Sequence, residues 1–77
     1  MGVGLFLRLK ALLTESNVRY LSTMLDMLTT GDAKTYSAFW EEFDERMNVP
    51  PGQRRIRNSA WNALKELNSI VKEYRRG

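Results

Sequence analysis

Cysteine and histidine are both absent from this 77-residue sequence. Without cysteine the chain forms no disulfide, holds no thiolate-bound metal and has no thiol nucleophile. Without histidine it lacks the commonest metal ligand and the commonest general base. Because no Gly-rich loop or activated nucleophile takes their place, we expect a protein that is not an enzyme and that uses neither a cofactor nor a metal.

Proline is also scarce, with two residues, while 43% of the chain is hydrophobic and 27% is charged. This composition is typical of a folded domain and not of a disordered chain. The length allows one small domain, which we assign to residues 1–77. A core of this size needs tight helix packing or self-association, so a homodimer is one expectation.

A hydrophobic run long enough to cross a membrane is missing from the sequence. The first 13 residues are rich in Leu and Phe, but Arg8 and Lys10 interrupt them. This segment is too short to span a bilayer and lacks the long uncharged core of a secretory signal. Gly2 is the acceptor residue of a myristoylation signal, but such a signal has Ser or Thr at position 6, where this chain has Phe6. We therefore expect a packed first helix and a cytoplasmic protein, with anionic membrane as the least favoured partner.

The hydrophobic residues that are present recur at helical intervals along the whole chain. Residues 14–17 interrupt this pattern with side chains that prefer helix caps, and Gly31 and Asp32 suit a left-handed helix end followed by an N-cap. Asn48 and the segment Pro50–Gly52 end the third helical stretch. The prediction is an all-α, compact single-domain bundle of four helices at residues 3–14, 16–29, 33–47 and 53–75.

The second helix is apolar over an unusually wide arc, which predicts that it is the most central one. One of its stripes consists of Val18, Leu21, Leu25 and Leu28, and the other of Tyr20, Met24 and Met27. The Met24 and Met27 side is expected to exceed what a small core can cover, which favours a partner. The predicted core positions of the third and fourth helices are Tyr36, Phe39, Trp40, Phe43 and Met47, then Ile56, Ala60, Ala63, Leu64, Leu67, Val71 and Tyr74.

Positive charge is concentrated at the C-terminal end. Residues 1–50 contain five basic and seven acidic residues, whereas residues 51–77 contain seven basic and two acidic residues, so their net charges are −2 and +5. A basic segment on a mildly acidic body suggests an anionic partner such as nucleic acid, an anionic membrane or an acidic protein.

The fourth helix carries the strongest functional signal, because Trp61 lies among cations away from the core stripe. Lys and Arg neutralise phosphates, an indole stacks on a base or sugar, and Asn donates to base edges or phosphate oxygens. The alternative is that Trp61 packs under a neighbouring segment and the charges form a solvated face. The predicted nucleic-acid-binding residues are Arg54, Arg55, Arg57, Asn58, Trp61, Lys65, Lys72 and Arg75.

The third helix is acidic on its outer face, which also bears on the choice of binding helix. A turn at residues 29–32 has the spacing of a helix-turn-helix, but the third helix would then be the recognition helix and its carboxylates would repel DNA. The acidic face is either a solvated surface or a docking site for a basic protein or for the basic helix of a second copy. The predicted protein-interaction residues are Glu41, Glu42, Asp44 and Glu45.

Together these patterns predict a small regulatory or accessory module that engages DNA or RNA through the basic face of its last helix. The alternative is an adaptor or inhibitor that binds proteins or itself through helix faces of opposite charge. Peripheral attachment to an anionic membrane is a weaker alternative. The sequence leaves open the type of nucleic acid, the oligomeric state and the exposure of Trp61.

Overall fold

Four helices make up the domain, and the described residues contain no strand. The computed structural model describes residues 2–31 and 33–76, apart from the side chain of Arg54. The helices are α1 (Val3–Leu12), α2 (Glu15–Thr30), α3 (Tyr36–Met47) and α4 (Arg54–Arg76). The all-α, four-helix prediction is therefore confirmed, with changes at the helix ends.

Thr14 sets the junction between α1 and α2. Its backbone is extended, and its hydroxyl accepts a hydrogen bond from the Asn17 backbone N–H at 3.1 Å. The Asn17 side chain in turn donates to the Leu12 carbonyl at 2.8 Å. Helix α1 consequently ends at Leu12, two residues before the predicted end, because Thr14 serves as the N-cap of α2.

The start of α3 differs most from the prediction. Helix α2 ends as expected at Gly31, whose φ of 70° is left-handed. The predicted cap at Asp32 lies outside the described residues, and α3 begins at Tyr36 instead of residue 33. The reason is Thr35, whose hydroxyl accepts a hydrogen bond from the Ala38 backbone N–H at 3.0 Å. This bond satisfies one of the N–H groups that the first turn of a helix leaves free. Asn48, with a φ of 54°, ends α3 as predicted.

The core consists of two clusters that meet on α4. The first joins Met24 and Met27 of α2 to Trp40 and Phe43 of α3 and to Ala60 of α4. The second joins Leu12, Leu21, Ala63 and Ile70, and thereby connects α1 and α2 to α4. Leu64 packs against both clusters. Helices α2 and α4 therefore supply buried residues to both clusters, and together they hold α1 and α3.

Several predicted core positions are wrong. Val71 and Tyr74 of α4 are exposed, while Ile70, which the prediction omitted, is buried. The buried side of α4 is rotated toward Ile70 because α1 packs there. Tyr36 is 74% exposed, since it lies in the first turn of α3 and its ring meets the core only through an edge contact with Trp40.

The prediction that the Met24 and Met27 side of α2 exceeds what the core can cover is wrong, although α2 does supply buried residues to both core clusters. Met24 and Met27 are fully covered, which contradicts the expected surplus on that side. The uncovered residues are instead Val18, Leu25 and Leu28, which belong to the other stripe. Helix α2 therefore buries Met24 and Met27 of one stripe, but only Leu21 of the other.

The domain is flat and long, with extents of 40 × 22 × 14 Å. Its radius of gyration is 13.8 Å, compared with about 11.5 Å for a typical folded chain of this length. A 14 Å dimension is little more than one helix diameter. Much of each helix consequently stays accessible to solvent.

Ala60 is the first position at which this packing can be tested. Its side chain is fully buried against the aromatic cluster of α3, so Ala60→Leu should destabilise the domain by about 1–3 kcal/mol through overpacking. Urea unfolding followed by circular dichroism measures this loss. Ala11→Leu makes the same change at an exposed helical site and should shift stability by less than about 0.5 kcal/mol. Equal effects for the two variants would contradict the described packing.

Gly31 offers a second test, because an added Cβ would meet no atom within 4 Å and only the backbone conformation opposes it. Gly31→Ala should cost about 1–2 kcal/mol, since the left-handed conformation is unfavourable for residues with a Cβ. Gly4→Ala, within α1, should instead stabilise the domain by up to about 1 kcal/mol through helix propensity. Thermal unfolding of both variants should show shifts of opposite sign.

Candidate nucleic-acid interface

The charge pattern of α4 is shaped by α1. Arg8 of α1 donates from Nη2 to Glu66 Oε1 at 2.8 Å and to Ser69 Oγ at 3.1 Å. Its Nη1 lies 2.8 Å from Glu73 Oε2. Glu66 and Glu73 are the two acidic residues of α4, so a single guanidinium engages both. The negative charge of α4 is thus drawn to one side of the helix.

The Arg8 contact also changes the protonation equilibrium of Glu66. Hydrogen bonding from the Arg8 guanidinium lowers the pKa of Glu66, and burial opposes this only partly. The same contacts with Glu66 and Glu73 raise the pKa of Arg8. Arg8 and Glu66 therefore both stay charged at neutral pH.

The remaining polar side of α4 forms a stripe whose charges are all positive. At about 100° per residue, its members fall within an arc of about 80°. It extends over 19 residues of the helix, or about 27 Å. We call this surface the basic stripe, and it consists of Asn58, Trp61, Lys65, Asn68, Lys72 and Arg76.

Two shallow clefts lie along the basic stripe. The larger, of about 380 Å³, is lined by Lys65, Lys72 and Arg76 together with Asn68, Ser69 and Glu73. The second, of about 320 Å³, lies between Trp61 and Lys65. No ion pair found among the described residues involves Lys65, Lys72 or Arg76. Their ammonium and guanidinium groups are accordingly available to an anion.

Trp61 lies where the basic stripe meets an apolar groove. Its side chain is 43% exposed, so it is neither a core residue nor a fully solvated one. The groove beside it is lined by apolar and aromatic side chains, including Leu28 of α2 and Tyr36 of α3. On its other side Trp61 shares a cleft with Arg57 and Asn58. The indole thus borders both the apolar groove and the polar stripe.

The structure gathers part of the predicted binding set and separates the rest. Asn58, Trp61, Lys65 and Lys72 lie together in the basic stripe, and the side chain of Arg54 lies outside the description. Arg55 and Arg75 are exposed, but at about 100° per residue they lie outside the arc of the stripe, Arg55 by about 60° and Arg75 by about 20°.

Arg57, in contrast, is directed away from the stripe and toward α3. Its Nε donates to Asp44 Oδ2 at 3.0 Å, and its Nη2 contacts the same oxygen. This hydrogen bonding raises the pKa of Arg57. Asp44 therefore balances the Arg57 charge within the domain.

Asn68 and Arg76 belong to the stripe although the predicted residue set omitted them. Their positions three or four residues from Lys65 and Lys72 are a signal that could have found them. The role of Arg8 had no such signal, because 58 residues separate it from Glu66.

The acidic face of α3 is partly used inside the domain. Besides the Asp44–Arg57 pair, Arg46 Nη1 lies 2.6 Å from Asp26 of α2, and its Nε lies 3.5 Å from Glu42. Glu41 and Glu45 are exposed. The predicted protein-interaction set therefore divides into two residues with internal partners and two that face solvent.

Other kinds of site have no support in the described part of the chain. Residues 2–31 and 33–76 contain no group of three or more acidic side chains that could hold a metal ion. None of the four helices there has the length and apolar character needed to cross a membrane. Comparisons with protein-family models, with curated proteins and with solved structures find no match to this chain.

Glu66 provides a pH-dependent test of the link between α1 and α4. Because its pKa is lower in the folded state, the stability it contributes is present above the unfolded pKa of about 4.3 and is lost as the pH falls through the folded value. Glu66→Gln should therefore lower the melting temperature most at neutral pH, and the difference from wild type should shrink below about pH 4. Thermal unfolding between about pH 2.5 and pH 7 measures this.

Glu45→Gln is the matched control, because Glu45 is exposed on α3 and takes part in none of the ion pairs described above. Its melting temperature should follow that of wild type at every pH. If Glu66→Gln also follows wild type throughout, the Arg8 contact does not stabilise the domain.

Proposed function

We propose that this protein is a small non-enzymatic nucleic-acid-binding module that uses the basic stripe of α4. The observation that carries the proposal is the row of Lys65, Lys72 and Arg76, which take part in none of the ion pairs of the described residues, while Arg8 of α1 engages both carboxylates of α4. Phosphates are the anions that such a row of cations suits, since they recur along a polymer. A regulatory or accessory role in the cytoplasm is part of the proposal.

Each part of the stripe has its own role in the proposed complex. Lys65, Lys72 and Arg76 neutralise successive phosphates, while Asn58 and Asn68 donate from their amides to phosphate oxygens or base edges. Trp61 stacks on a base or sugar with the half of its indole that faces the stripe. Because phosphate contacts dominate, the binding is expected to depend strongly on salt and weakly on sequence.

The charge contribution is tested with the double variant Lys65→Gln/Lys72→Gln. Anisotropy titrations with labelled DNA and RNA of about 20 nucleotides, single-stranded and duplex, measure affinity over a range of salt concentrations. The double variant should weaken binding about 10-fold or more near physiological salt, and the slope of log K against log[salt] should fall by about 1.4 for single strands and about 1.8 for duplexes.

A matched control removes the same charge elsewhere. Lys10→Gln/Arg19→Gln changes two exposed cations on α1 and α2 and should preserve the salt slope. Equal losses for the two double variants would mean that net charge, and not the stripe, attracts the polymer. If wild type binds none of the nucleic acids, the proposed function is wrong. Binding to a protein partner is then the favoured alternative, ahead of an anionic membrane.

Trp61 is tested separately from the cations. Trp61→Leu should weaken single-strand binding by about 1–3 kcal/mol, since base–aromatic stacking contributes about that much. Duplex binding should change little, because the stacked bases of a duplex leave no face free. Tyr74→Leu removes another exposed aromatic ring of α4 that lies outside the stripe, and it should change neither affinity.

A further inference from the structure

A row of apolar residues on α2 is left without cover. Val18, Leu25 and Leu28 are 45%, 46% and 57% exposed. At about 100° per residue they fall within an arc of about 80° that also contains the buried Leu21. We call the surface formed by Val18, Leu25 and Leu28 the open stripe. Its spacing of three and four residues is the spacing by which one helix packs against another.

The accessible surface of the domain indicates how much cover is missing. A folded monomer of 9.0 kDa exposes about 4,900 Å², whereas this domain exposes 5857 Å². The excess of about 1,000 Å² is close to the roughly 800 Å² that each partner buries in a protein–protein interface of standard size. The domain as a whole therefore has enough surplus surface for one interface of standard size.

The surroundings of the open stripe favour a copy of the same chain as its occupant. Ser22 and Thr29 border the stripe on its solvent side, and both are uncharged. The nearest charged residue on that border is Glu15, in the first turn of α2. An acidic or basic partner would find no complementary charge along the stripe, whereas two copies meet apolar to apolar without like charges opposed at the centre.

From these observations we infer that the protein forms a homodimer in which the open stripes of two α2 helices pack against each other about a two-fold axis. Each stripe meets its own copy, as a closed two-fold interface requires. The basic stripe lies on a different helix, so this inference does not rest on the proposed function.

Sedimentation equilibrium of the full chain between about 1 and about 200 µM tests the inference. Wild type should approach twice the chain mass as concentration rises. Leu25→Gln/Leu28→Gln should raise the dimer dissociation constant by about 100-fold or more, because both leucines lose apolar burial in each copy. Both leucines are exposed in the protomer, so far-ultraviolet circular dichroism should show retained helix content.

The matched control is Phe6→Gln/Leu7→Gln, which makes two exposed apolar residues of α1 polar and should leave the dissociation constant unchanged. A wild type that stays monomeric over the whole range would overturn the inference. So would a dimer that the α2 variant leaves intact, or one that the α1 variant dissociates. If the α2 variant loses helix content, Leu25→Ser alone repeats the measurement with a smaller change.

Discussion

The packing of α2 against α4 is the contact on which this structure depends, because each of these two helices supplies buried residues to both core clusters. In the first cluster Ala60 of α4 lies with Met24 and Met27 of α2, and in the second Ala63 and Ile70 of α4 lie with Leu21 of α2. Helix α3 joins this pair through the first cluster and α1 through the second. Because the other helices pack on one side of α4, its opposite side stays in solvent along its whole length.

The local features of the fold could be predicted from sequence because they depend on neighbouring residues. Gly31 and Asn48 end α2 and α3 because both adopt the left-handed conformation that is common at the end of a helix. Thr14 lies in the segment where the sequence predicts a helix cap. The start of α3 could not be fixed in this way, since both Asp32 and Thr35 are good caps. The choice between two adequate caps depends on where Trp40 and Phe43 must lie in the core, and that is a tertiary constraint.

The sequence predicts which helix carries the candidate site, but it predicts only some of the residues that form the site. Clustering of Lys65 and Lys72 near Trp61 follows from helical periodicity alone. The pairing of Arg57 with Asp44 and of Arg8 with Glu66 joins residues distant in sequence, and charge counting cannot assign such partners. The sequence also cannot show which stripe of α2 is buried, because both stripes have the same apolar spacing. Met24 and Met27 are buried because they pack against the aromatic residues of α3.

The Arg8 contact also makes the docking of α1 and the electrostatic potential of α4 thermodynamically linked. When α1 is docked, the single positive charge of Arg8 offsets one of the two negative charges of Glu66 and Glu73. Undocking would remove this offset and weaken the attraction of α4 for any anion. Linkage is reciprocal, so an anion held on α4 would favour the docked state of α1 by the same free energy. The short first helix is in this sense an effector element for the last one.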